Sequence, residues 1–161
     1  MLELELDNAK ATLEDYDPKV GKVGGVRERS ALLKVSIDVT ADILAHFEAT
    51  LKDRLFVLDE DLAGGVLRVR DSGEVYPMAR SEEMFRATVK IDYGLGKPMH
   101  FPEADLDEFR ISPMDGGGVI LFARIKVKPD EGQAGRLYML HGEPITLTVE
   151  PAVQPMLKEA A

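Results

Sequence analysis

Within nine residues, His100, Glu103, Asp105, Asp107 and Glu108 bring together one imidazole and four carboxylates. These are the donor types that hard cations such as calcium or magnesium take. A calcium loop also needs a glycine at its sharp turn. None lies in this stretch, and Pro102 and Leu106 interrupt it. The run therefore reads as an exposed acidic edge that discourages strand pairing, and no metal or other cofactor is expected. The other two histidines have ordinary settings. His46 lies opposite an apolar stripe, and His141 stands beside Gly142 at the end of a helical run, where a cation complements the helix dipole. The glycine-rich segment 21–30 lacks the Gly-Lys-Ser/Thr ending of a phosphate-binding loop. No serine sits in the strand–turn–helix setting of a nucleophile elbow. The chain is read as a non-enzyme.

Charge offers two further constellations. The chain has 161 residues, 29 acidic and 20 basic, for a net charge of −9, and it has no cysteine. Disulfides, thiolate catalysis and cysteine-ligated zinc or iron–sulfur centres are thereby excluded. A negative field favours basic partners. Asp59, Glu60 and Asp61, together with Glu103, Asp105, Asp107 and Glu108, are the residues expected to face such a partner and partly mimic a phosphate track. The opposing constellation is basic. Arg124, Lys126 and Lys128 project from one face of a strand, and Arg68 and Arg70 from one face of another. Were those strands neighbours, five cations and Phe122 would form the kind of face that tracks single-stranded nucleic acid.

The elements that must position these groups are read from hydrophobic period. Leu33, Val35, Ile37 and Val39 alternate with polar residues, as do Leu121, Ala123, Ile125 and Val127, so each set marks a strand with one buried face. A helical run follows each, with Ile43, Leu44, Phe47 and Leu51 in one and Leu137 and Leu140 in the other. A second strand closes each, at 55–58 and 145–149. Residues 33–58 thus echo 121–147, and two strand–helix–strand pseudo-repeats are expected. Leu2, Leu4 and Leu6 alternate with Glu3 and Glu5 as a short strand. Segment 17–30, with Pro18, Gly21, Gly24 and Gly25, reads as a loop. A short strand is expected at 66–70 and another at 84–93, with Phe85, Ala87, Val89 and Ile91 on one face. Segment 99–111 reads as an irregular edge before a strand at 109–112, and 115–118 as a hairpin turn. The expected fold is α+β, with mostly antiparallel sheet in a single domain 1–161 of two pseudo-symmetric halves, about 1–75 and 84–150, and a loose tail at 151–161.

The segment IDYGLGKPMHFPEADLDEFRISPMDGGGVILFARIKV resembles a family of small uncharacterised proteins encoded by bacteriophages and prophages. The resembling features are the Tyr-Gly-Leu-Gly turn at 93–96, Phe109 with Arg110, the acidic-glycine hairpin at 115–118 and the closing strand at 145–149. Coverage is best over about 86–150. The resemblance implies phage origin and a shared fold, and it brings no activity or binding residues with it. In that setting the first expectation is a non-enzymatic protein that binds a nucleic-acid-processing protein of host or phage, as an inhibitor of a host nuclease or CRISPR-type defence. The alternative is a single-stranded DNA-binding accessory of recombination or replication, acting through Arg68, Arg70, Arg124, Lys126 and Lys128. No apolar run approaches the length of a membrane span, and the first ten residues are acidic where a secretory leader is basic then apolar. A soluble protein of the bacterial cytoplasm is expected. Oligomeric state is left open.

Overall fold

The computed structural model describes residues 2–60 and 65–152. Alternating apolar residues dominate the chain, and the structure is built from them. The strands are β1 (Leu6–Val23), β2 (Val26–Thr40), β3 (Phe56–Asp59), β4 (Val66–Val69), β5 (Met78–Ala79), β6 (Met84–Asp92), β7 (Met99–Pro113), β8 (Gly118–Val127) and β9 (Pro144–Glu150). Helical structure among the described residues is limited to a 3-10 segment, Ala41–His46, and two α-helices, α1 (Leu51–Leu55) and α2 (Glu131–Met139).

Every strand pairing is antiparallel. Around the main sheet the order is β7-β6-β9-β1-β2-β8, with β5 attached to the far end of β7, and a further pairing of β7 with β8 closes the sheet into a ring of six strands. Closure is what a long strand such as β7 permits. Its first part pairs with β6 through Met99 to Leu106, and its later part pairs with β8 through Asp105 to Pro113. A closed barrel leaves its principal strands without a free edge. One set of alternate side chains fills the interior: Leu13, Leu33, Val35, Ile37, Val89, Ile91, Leu106, Phe109, Leu121, Ile125, Leu147 and Val149 are all buried, and no polar or charged residue is buried among the described residues.

The expected α+β fold of two strand–helix–strand repeats is overturned: the described chain is mostly β, with three short helical segments. Val35 and Ile125 do both point into the core, but β2 and β8 are directly paired neighbours. The strands that close the two supposed copies have different fates. β9 is inserted between β1 and β6 in the ring, whereas β3 pairs only with β4 in a separate two-stranded sheet. The echo was the period-two pattern common to half-buried strands, which carries no information about duplication. The helical run 43–51 is also replaced, by the 3-10 turn and the five-residue α1. Its apolar residues still reach the core, with Ile43, Leu44, Leu51 and Leu55 buried, and Phe47 meets the Phe109 ring edge-on at 5.4 Å and 74°.

Three local expectations change as well. Segment 17–30 is a hairpin, with Gly24 and Gly25 at φ 58° and 82° between Val23 and Val26; two consecutive positive φ values are what a tight two-residue hairpin turn demands. Segment 99–111 belongs to one continuous strand rather than an edge, since β7 has partners on both flanks. Pro102 is tolerated because it lies where the β6–β7 register shifts and before β8 begins to pair. Leu2, Leu4 and Leu6 are buried, but β1 begins only at Leu6. The part of the tail beyond residue 152 lies outside the described residues.

Candidate nucleic-acid interface

The outer face of β2, β8 and β7 is where the charged residues singled out by sequence gather. The register puts Lys34 of β2 beside Arg124 of β8, and Arg124 beside Asp107 of β7. One row on, Leu32, Lys126 and Asp105 stand side by side, and in the other direction Ser36, Phe122 and Arg110 do so. Arg124 is anchored. Its Nε and Nη2 donate to Asp107 Oδ1 and Oδ2 at 2.8 Å each, and Nη1 lies 3.3 Å from Glu108 Oε1. The hydrogen bonds to Asp107 hold the Arg124 pKa above its ordinary value. Lys128 pairs with Glu28 at 3.1 Å, and that hydrogen bond raises its pKa also.

Four cations around this face are different. The charged groups of Lys34, Arg86, Arg110 and Lys126 meet no carboxylate within 4.0 Å among the described residues. Arg110 instead lies over the Phe122 ring, its guanidinium carbon 5.1 Å from the ring centroid, a cation–π contact that keeps both groups at the surface. Lys34, Arg110, Phe122 and Arg124 line an open groove of about 750 Å³. Arg124 also lines the adjoining depression, where Phe85 stands with Lys19 and Lys126.

Phe85 reaches this position through a β-bulge. Met84 pairs with Leu106 and Ala87 with Ala104, so two residues of β6 oppose one of β7. Arg86 takes φ 57°, and its N–H donates to Asp105 Oδ1 at 3.2 Å. The extra residue sends both Phe85 and Arg86 outward, and Phe85 is 45% exposed. Strict alternation assigned Phe85 to the buried face; the bulge inverts it. The signal available in the sequence was Met84, an apolar residue one step out of phase with Ala87, Val89 and Ile91.

The remaining predicted residues are dispersed. Arg68 binds Asp59, Nε to Oδ2 at 2.8 Å, within the β3–β4 sheet. Arg70 donates to the carbonyls of Asp53 and Phe56 at 3.2 and 3.3 Å. β4 is not a neighbour of β8, so the five-cation face does not form as a unit. Glu60 is exposed and Asp61 lies outside the described residues. Glu103, Asp105, Asp107 and Glu108 follow one another along an extended strand and interleave with Arg124, Lys126 and Lys128 rather than forming an acidic surface of their own. Among the described residues no three His, Asp or Glu side chains are grouped as a metal would require. His141 directly follows the C-cap of α2, and its Nε2 lies 3.1 Å from the Glu14 carbonyl and 3.7 Å from Asp15 Oδ1. No described helix is long and apolar enough to cross a membrane. No family model, no curated protein and no solved structure matches this chain.

Proposed function

We propose that the protein binds single-stranded nucleic acid without catalysis, as an accessory of recombination or replication in the bacterial cytoplasm, in the phage setting that the resemblance implies. The observation that carries this reading is the alternation of aromatic rings and cations without carboxylate partners on one barrel face: exposed Phe85 beside Arg86 and Lys126, then half-buried Phe122 beside Arg110 and Lys34. Rings offer stacking platforms to successive bases, and cations follow the phosphates between them. Asp107 and Glu108 serve this surface by fixing the Arg124 guanidinium, and they are thereby less suited to imitate phosphate for a basic protein. The net charge of −9 disfavours nucleic acid over the acidic parts of the surface.

Fluorescence anisotropy with a labelled oligo-dT strand, titrated across salt, tests the reading. Binding should weaken steeply as salt rises. Phe85→Ala and Phe122→Ala should each cost about 1–3 kcal/mol, the usual worth of a base stacked on an aromatic ring, and Lys126→Glu should lower both affinity and salt slope. Absence of salt-dependent binding, together with capture of a basic nucleic-acid-processing protein lost in Asp105→Lys with Asp107→Lys, would replace this reading by the partner-protein one.

A further inference from the structure

β1 and β2 outrun the barrel that they help to build. β9 pairs with β1 only from Leu6 to Thr12, and β8 pairs with β2 only from Ala31 to Thr40. Residues 19–23 and 26–30 therefore pair only with each other. They stand out as a two-stranded arm about 16 Å long at the usual rise of ~3.3 Å per residue.

The register gives the arm two unlike faces. Val20 opposes Arg29 and Lys22 opposes Arg27, on the side that continues Leu33 and Ala31 of the core. The strand face that is apolar inside the barrel becomes cationic where the barrel ends, so the arm cannot be folded back into a core. On the opposite side lie Lys19, Glu28 and Ser30. The two carboxylates of the arm region are on that side and are occupied, Asp17 by Lys19 at 3.2 Å and Glu28 by Lys128 at 3.1 Å. Among the described residues Lys22, Arg27 and Arg29 meet no carboxylate. All three are exposed, as is Val20 at 54%.

We propose that this arm is a second nucleic-acid-binding element whose occupant is duplex DNA, seated with its Lys22–Arg27–Arg29 face in the major groove. The inference goes beyond the single-strand reading and does not depend on it. A two-stranded ribbon is one of the two protein elements that the major groove of B-form DNA admits. Three cations on one face reach the phosphates that border the groove, and Val20 between them offers apolar contact to base edges. The arm bears no aromatic ring between Pro18 and Ser30. It therefore has no stacking platform for a single strand, and Lys22, Arg27 and Arg29 lie on the side opposite to the barrel's Phe85–Phe122 surface.

The test compares wild type with Lys22→Ala/Arg27→Ala/Arg29→Ala by anisotropy, using a short blunt-ended duplex DNA and an oligo-dT strand of equal length, across salt. Melting temperature should be unchanged, since exposed charges contribute little to stability. Duplex affinity should fall at least about tenfold, and the slope against log salt should shrink by about 2 to 3, as three phosphate contacts are lost. Oligo-dT affinity should stay as it was. Unchanged duplex affinity overturns the proposal. A loss confined to oligo-dT also overturns it and assigns the arm to the single-strand track. Displacement of duplex by polyglutamate as effectively as by competitor DNA overturns it in favour of an acidic protein partner. Because the barrel-face and arm variants are separate, failure of the single-strand reading leaves this result interpretable.

Discussion

Three described non-glycine residues carry positive φ, and each stands at a register shift: Asn8 at 49°, Arg86 at 57° and Glu108 at 50°. Asparagine tolerates this conformation, and Asn8 gains a hydrogen bond from its N–H to Thr148 Oγ1 at 3.1 Å. Arginine and glutamate do not favour it, at about 1–2 kcal/mol each, and both flank the candidate interface. Arg86→Gly relieves that strain, while glycine adds unfolded-state entropy of about 0.5–1 kcal/mol. The expected outcome is unchanged or slightly raised stability with weaker oligonucleotide binding, whereas Arg86→Ala should weaken binding and leave the strain. Thermal melts beside anisotropy separate the two; a Gly variant that melts well below the Ala variant would show that the bulge is not strained. Glu82 offers a pH prediction. Arg80 Nε donates to Glu82 Oε1 at 3.0 Å and Nη2 to Oε2, and this hydrogen bonding lowers the Glu82 pKa from its ordinary 4.5. A depressed carboxylate pKa adds stability above the unfolded-state value and loses it as pH falls through the folded-state value. Glu82→Gln should therefore lower the melting temperature at neutral pH, and the gap from wild type should close as pH falls through and below the ordinary glutamate range.

At the scale of elements, α2 is the helical run that Leu137 and Leu140 marked, and its boundaries, Glu131 and Met139, have local causes. Asp130 accepts from the Gln133 N–H at 2.8 Å while the Gln133 side chain accepts from the Asp130 N–H at 3.0 Å, a reciprocal capping box. Gln133 Nε2 also donates to the His100 carbonyl at 3.2 Å, tying the helix to the start of β7, and Leu137 is its buried contact. Asp130→Ala should cost about 1 kcal/mol, or about 2–4 °C in a domain of this size, as read by calorimetry. An unchanged transition would mean that α2 is held by tertiary contacts alone. The hairpin 17–30 was as legible as α2, since paired glycines between alternating segments mark a two-residue turn. Glycine and proline content alone does not distinguish such a hairpin from an open loop.

Over the whole molecule, barrel closure couples residues far apart in sequence. Phe109 shows what this coupling predicts. It is buried in β7, held by Phe47 on the segment after β2, and its truncation to alanine should cost about 3–5 kcal/mol, a large share of the about 5–15 kcal/mol typical of domains. Urea denaturation of Phe109→Ala should show one transition at a lower midpoint, with fluorescence and circular dichroism coincident. Two separated transitions would mean that strands from the two ends of the chain unfold independently and would revive a two-part organisation.

Local alternation determined most of what β2, β6 and β8 bury, because period two is a property of each strand by itself; Phe85 and Met84 exchanged faces through a bulge that two strands define together, and Val39 is only half-buried. The 115–118 hairpin was likewise local, a matter of glycines at positive φ. What the sequence could not carry was partnership. Whether Arg68 stands near Lys126, whether Asp107 faces a partner or Arg124, and whether β7 is an edge or the closing strand all depend on register between strands separated by up to a hundred residues or more. Register is settled by simultaneous packing of every inward face against the others, and that constraint exists only in the closed barrel.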